Sequence, residues 1–200
     1  MGGRKIRAGL VARIACRIRA SVSTVQCNHQ PPTSMYLTPL KLTLAGTMLA
    51  LIGLTARADE AVVGKPVDIK FTAVDGRKVD LADMKGKVVL VDFWATWCGP
   101  CVAEVPNVVA AYDKLHSKGF EIVGISFDRE ADKEKLISFT KDKKMPWPQH
   151  FDGKFWKNEF GQKYGINSIP RMWLIDKKGN LSDLNARGGL EAKVEKLLAE

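Results

Sequence analysis

The sequence predicts an α/β fold, a central sheet with helices on both faces, confined to residues 59–200. Three observations carry this expectation. Two apolar runs rich in β-branched residues, Val88 to Trp94 and Phe120 to Phe127, have the length of buried strands. The segments after them space their apolar residues as helices do. A third apolar run, Met172 to Ile175, leaves a loop proline and ends at a turn signal. Strands alternating with helical patterns bury a sheet between layers of helix.

The elements follow in order. Residues 67–74 alternate apolar and polar, Asp75-Gly76 supplies a turn, and Lys78 to Leu81 resumes the alternation, which predicts a β-hairpin. Leu81 to Met84 reads as a short helical turn ended by Gly86. Val88 to Trp94 is the central strand. A long helix is expected from about Cys98 to Ser117, with Val105, Val108, Val109, Tyr112 and Leu115 at helical spacing. Pro106 should kink it, because proline lacks the N–H and crowds the preceding turn. After the strand Phe120–Phe127, residues 131–143 read as a surface helix carrying Leu136, Ile137 and Phe139. Met145-Pro146-Trp147-Pro148 breaks it, and a short strand over 149–151 and a helix over 155–164 follow. Lys177-Lys178-Gly179-Asn180 turns the third apolar run back into an edge strand near Leu184. Leu190 to Leu198 forms the last helix, with Leu190, Val194, Leu197 and Leu198 on one face.

The formal net charge of +9 invites a nucleic-acid reading, but its distribution removes it. Of 31 Lys/Arg, eight lie in residues 1–58, which hold no acidic residue; the other 23 face all 22 Asp/Glu in residues 59–200. The folded part is close to neutral, so no nucleic-acid partner is expected. The basic excess belongs to a leader. From Met35 a short start containing Lys41, an uncharged stretch from Leu42 to Ala56 and the ending Ala56-Arg57-Ala58 read as a secretory signal over 35–58, cleaved after Ala58. An uncleaved membrane anchor is the alternative, although the stretch is short of the roughly twenty residues a spanning helix needs. Residues 1–34 read as an extension ahead of a start at Met35, with an organelle transit peptide as the other reading.

Outside the leader, the chain holds only Cys98 and Cys101, two residues apart. No second C-x-x-C or H-x-H completes a zinc site, so no metal is expected there. A cysteine where a strand gives way to a helix N-terminus meets the positive end of the helix dipole and free N–H groups. Both favour the nucleophilic thiolate. Cys98 is thus placed to attack a disulfide and Cys101, one turn on, to resolve the mixed disulfide.

The run Val91-Asp92-Phe93-Trp94-Ala95-Thr96-Trp97-Cys98-Gly99-Pro100-Cys101 resembles the active-site segment of the thioredoxin superfamily. Its W-C-G-P-C-x-x-E-x-P form is similar to the TlpA/ResA-like branch of extracytoplasmic thiol–disulfide oxidoreductases. The resemblance covers residues 62–199 and implies a thioredoxin-like fold, a central mixed sheet with an N-terminal β-hairpin and a helix-strand insertion. It also implies a cis Ile169–Pro170 bond facing the cysteines, with the backbone of Ile169 pairing with bound substrate like an added strand. Catalytic roles then fall on Cys98, Cys101, Asp92, Glu104 and Pro170, and substrate contacts on Trp97, Gly99, Pro100 and Ile169. Asp92 matches the buried proton-shuttling aspartate of thioredoxins, where TlpA-like chains more often have asparagine. Glu104 matches the TlpA/ResA-like glutamate on the helix. Burial without a partner raises a carboxylate's pKa toward that of a thiol, so Asp92 is expected to act more strongly than Glu104 on Cys101. Trp94 and Trp97 are read as an apolar lip beside the disulfide, and His116 and His150 as surface residues. Arg171 stands where a small threonine is usual.

These readings imply a disulfide reductase without cofactor beyond the Cys98–Cys101 pair, expected to act as a monomer. Its electrons would come from a DsbD/CcdA-like membrane thiol donor and pass to disulfides of secreted proteins, with apocytochrome c cysteines as one candidate. Two other classes stand beside it. A peroxiredoxin-like peroxidase shares the hairpin, but Val91 and Ala95 occupy the proline and Ser/Thr positions of its P-x-x-x-[ST]-x-x-C arrangement. A copper- or thiol-binding module would use the same cysteines without turnover, although the C-x-x-x-C spacing of Sco-like sites is missing.

Overall fold

The computed structural model describes residues 61–200; the predicted extension over 1–34 and signal over 35–58 lie outside the described residues. The hairpin forms from β1 (Lys70–Thr72) and β2 (Lys78–Asp80), antiparallel with Phe71 opposite Val79. Its turn places Gly76 at φ 88°, where a side chain would be strained. A 3-10 turn, Leu81–Met84, follows, and the Asp80 carboxylate accepts from the Ala82 N–H to cap it.

Five strands make the main sheet: β3 (Val88–Trp94), β4 (Phe120–Ser126), β5 (Gln149–His150), β6 (Arg171–Ile175) and β7 (Leu181–Asp183), in the order β5-β4-β3-β6-β7. Every residue of β3 is buried, which is why its sequence is continuously apolar except for Asp92. It runs parallel to β4 and antiparallel to β6, so the sheet is mixed, as the resemblance implied.

The helices are α1 (Gly99–Leu115), α2 (Lys133–Asp142), α3 (Glu159–Lys163) and α4 (Leu190–Ala199). β3-α1-β4 and β4-α2-β5 are both parallel crossovers stepping the same way across the sheet, and right-handed crossovers put α1 and α2 on one face. α4 packs against α1 and β3. On the opposite side of β3, Phe93 meets Trp173, which meets Tyr164 just after α3. Phe71 of the hairpin meets Phe160 of α3.

The differences from expectation are local. α1 runs through Pro106 as one helix but stops at Leu115; a 3-10 turn, His116–Lys118, completes it before Gly119 at φ 99°. The helix expected over 155–164 is instead a 3-10 turn, Phe155–Lys157, and the short α3. Asn158 divides them, because its extended backbone (ψ 136°) lets its side-chain oxygen accept from the Phe160 and Gly161 N–H groups. The edge strand is Leu181–Asp183, ending one residue before Leu184.

Candidate active site

The site forms at the C-terminal end of β3. Cys98 is the N-cap residue of α1, with extended backbone, and its Sγ accepts from the Cys101 N–H at 3.2 Å. Gly99 and Pro100 open the helix and are exposed; proline costs nothing in the first turn, where its missing N–H would have no helical partner. Cys98 and Cys101 are joined by a disulfide with their Cα atoms 5.2 Å apart. Both are buried, 5% and 3% exposed, while Gly99 and Pro100 between them are exposed.

A buried polar clamp holds the loop that delivers Cys98. The Asp128 carboxylate, fully buried just beyond β4, accepts the Thr96 hydroxyl at 2.6 Å, the Thr96 N–H at 3.2 Å and the Ser126 hydroxyl at 2.8 Å. A buried charge with all these donors is satisfied rather than stranded. Sequence alone did not single out Thr96, Ser126 and Asp128; the signal available was a Ser-x-Asp directly after the apolar run Ile122 to Ile125.

Trp97 is 39% exposed and donates its indole N–H to the Phe127 carbonyl at 3.0 Å. Its ring packs on Phe155 (5.1 Å) and Trp156 (6.0 Å) from the insertion, and Arg129 lies over Phe155 at 4.1 Å. These rings make an aromatic wall beside the cysteines. Phe155 holds the backbone at φ 56°, an unfavourable position for a phenylalanine that the ring contacts offset. Trp94, by contrast, does not belong to a lip. It is 1% exposed, packs on Phe139 and donates to the Gln149 side-chain oxygen at 2.9 Å, because strand alternation turns it inward under α2.

Asp92 and Glu104 come together. Asp92 is buried on β3 and its Oδ1 has no hydrogen-bond partner. Burial pushes its carboxyl up to about 7, and the neighbouring Glu104 carboxylate adds to the rise. Glu104 is more accessible; it accepts from the Asn107 amide at 3.1 Å and pairs with Arg187 Nε at 3.4 Å.

The Ile169–Pro170 bond is cis. Antiparallel register sets Arg171 opposite Phe93, so Ile169 and Pro170 lie just past that pair, at the end of β3 from which the Cys98 loop departs. Asn167, Ser168 and Ile169 make no backbone hydrogen bond among the described residues, which leaves a short free edge there. His116 is a surface residue as expected, but His150 is 4% exposed. It sits edge-on to Phe71 and Phe160 and contacts Glu159 at 3.0 Å, because β5 tucks it beneath the hairpin and α3. Among the described residues, no group of three or more His, Cys, Asp or Glu is placed to hold a metal.

Residues 62–198 match the Redoxin family. The chain belongs to the TlpA/ResA-like branch of the thioredoxin superfamily. It is 33% identical over 130 residues to the thiol-disulfide oxidoreductase ResA of Bacillus cereus (strain ATCC 10987 / NRS 248), covering 64% of this chain and 72% of the relative. It is 28% identical over 149 residues to the sporulation thiol-disulfide oxidoreductase A of Bacillus subtilis (strain 168), covering 72% and 88%. Among solved structures, the thioredoxin domain of a thiol-disulfide oxidoreductase from Bacteroides vulgatus superposes with a TM-score of 0.60 at 33% identity, over 70% of this chain and 99% of that one. A thioredoxin-family thiol:disulfide interchange protein from Chlorobium tepidum TLS gives 0.55 at 27% identity, over 70% and 99%. This ResA-like chain is a thiol:disulfide oxidoreductase.

Proposed function

We propose that the ResA-like chain works outside the cytoplasm as a reductant of disulfides in secreted proteins. The observation that carries this is the arrangement around Cys98: a helix N-cap sulfur, bonded to Cys101 and backed by a buried acid that can exchange a proton near neutral pH.

The cycle starts from the reduced pair. The Cys98 thiolate attacks one sulfur of the substrate disulfide, a mixed disulfide forms, and one substrate thiolate leaves. Cys101 gives its proton to Asp92, and its thiolate then attacks Cys98. The Cys98–Cys101 disulfide forms and the second substrate thiolate leaves, each leaving sulfur taking up a proton. Two electrons have moved to the substrate. Ile169 backbone groups pair with the substrate segment, Pro170, Gly99 and Pro100 shape the approach, and Trp97 packs on it. Glu104 links Asp92 to the surface. A membrane thiol donor of the DsbD/CcdA kind returns two electrons, because an oxidising compartment would otherwise hold the pair oxidised.

The Gly-Pro spacer supports the reducing direction, since it is that of thioredoxin, whose couple lies near −270 mV. The signal-like segment 35–58 supports export, and haem-site cysteines of apocytochrome c are one substrate class the resemblance supports. The reading is tested by equilibrating the reduced protein with a disulfide-bonded apocytochrome peptide and following loss of the peptide disulfide by mass. Stoichiometric transfer supports it; recovery of both partners unchanged removes it.

A further inference from the structure

Arg171 directly follows the cis proline and has no part in the chemistry above. It is half-buried, and among the described residues it makes no ion pair and no side-chain hydrogen bond. Two acids of neighbouring segments are paired elsewhere. Asp183, on the neighbouring strand β7, pairs with Lys193 at 2.8 Å, and Asp68 pairs with Lys163 at 2.6 Å. A guanidinium half-withdrawn from water without a carboxylate is costly unless a partner arrives.

Arg171 lines a hollow of about 190 Å³ with Ala61, Tyr164, Ile166, Asn167, Trp173 and Leu184, and among the described residues no acidic side chain lines it. That volume is below the roughly 300–1,000 Å³ of small-molecule sites and suits a single side chain. The hollow borders the loop whose backbone at Asn167, Ser168 and Ile169 makes no hydrogen bond among the described residues, the edge on which the proposed cycle docks a substrate strand. A peptide on that edge carries its neighbouring residues past Arg171. The complement of an unpaired fork of N–H donors is a planar carboxylate.

We propose that Arg171 is a specificity-determining residue that binds an aspartate or glutamate side chain beside the reacting cysteine of the substrate polypeptide. This deepens the functional reading above and rests on it. The site selects acidic disulfide segments and disfavours basic ones.

The test uses the reduced full-length protein and peptides of one design, each closed by one disulfide and flanked by Glu, Gln or Lys, with oxidation followed by stopped-flow tryptophan fluorescence. The Glu-flanked peptide is expected to react about tenfold faster than the Gln-flanked one, the scale of one charge-assisted hydrogen bond, and the Lys-flanked one slower still. In R171Q the Glu-to-Gln ratio falls to about one, and R171K restores part of it. Because the readout is a ratio on one protein, loss of folded material in a variant cancels. Equal rates for all three peptides overturn the inference, as does a preference that survives R171Q. Inhibition by free acetate that removes the preference at millimolar concentration also overturns it, in favour of a small-carboxylate site. Failure of the unsubstituted protein to reduce the neutral small disulfide hydroxyethyl disulfide overturns the functional reading itself, and the inference with it.

Discussion

Asp92 is buried with one oxygen unpartnered, and the charge that acts on it is of its own sign, the carboxylate of Glu104. A carboxyl in that position stays protonated well above the ordinary 3.8, up to about 7. The fraction ionised near that pH is a stronger base than an ordinary carboxylate, which is what the proposed transfer of the Cys101 proton requires.

The same burial has a stability cost whose sign is fixed. Asp92 binds its proton more tightly in the folded state, so stability falls as pH rises from about 4 to about 7 and levels off above. Asp92→Asn is expected to stabilise the oxidised protein at pH 8 by up to about 4 kcal/mol and to change little near pH 4. Urea denaturation at both values checks this, and a variant less stable at pH 8 contradicts it.

The variant should also slow resolution. With Asp92→Asn, the mixed disulfide on Cys98 persists longer, because Cys101 has lost its proton acceptor, and the loss is greatest near and below pH 7. Quenched-flow trapping at several pH values measures the lifetime.

Glu104→Gln removes the like charge beside Asp92. The Asp92 pKa should fall toward its ordinary value while staying raised, since burial is the larger cause. A pH titration of the Asp92 carboxyl carbon by NMR reads the shift directly.

Cys101→Ser should accumulate a covalent adduct between Cys98 and a substrate peptide, visible as an added mass that dithiothreitol removes. Cys98→Ser should give none.

Asp128→Ala leaves the Thr96 N–H, the Thr96 hydroxyl and the Ser126 hydroxyl buried without their acceptor. The expected loss is about 3 kcal/mol of stability, with slower disulfide exchange because the loop carrying Cys98 loosens. Denaturant midpoints and exchange rates on the same preparation separate the two effects.

Much of this site was legible because its chemistry is local in sequence. Cys98, Gly99, Pro100 and Cys101 are contiguous, Asp92 interrupts a wholly apolar strand, and the central strand follows directly from the run Val88 to Trp94. What stayed hidden depends on residues far apart in the chain. Trp94 and Trp97 look alike as flanks of the motif, yet strand alternation buries one and the loop exposes the other. His150 reads as a surface histidine until Phe71 and Phe160, from a distant hairpin and helix, close over it. The helix expected over 155–164 fails at Asn158, whose side chain serves as a cap.

The measurement that tests the central claim most directly is the reduction potential of the Cys98–Cys101 couple, from tryptophan fluorescence of the protein equilibrated in dithiothreitol or glutathione buffers. The account predicts a value near or below about −250 mV, in the range of thioredoxin. A value between about −120 and −180 mV, the range of DsbA and protein disulfide isomerase, would contradict it and make the same cysteines donors of a disulfide.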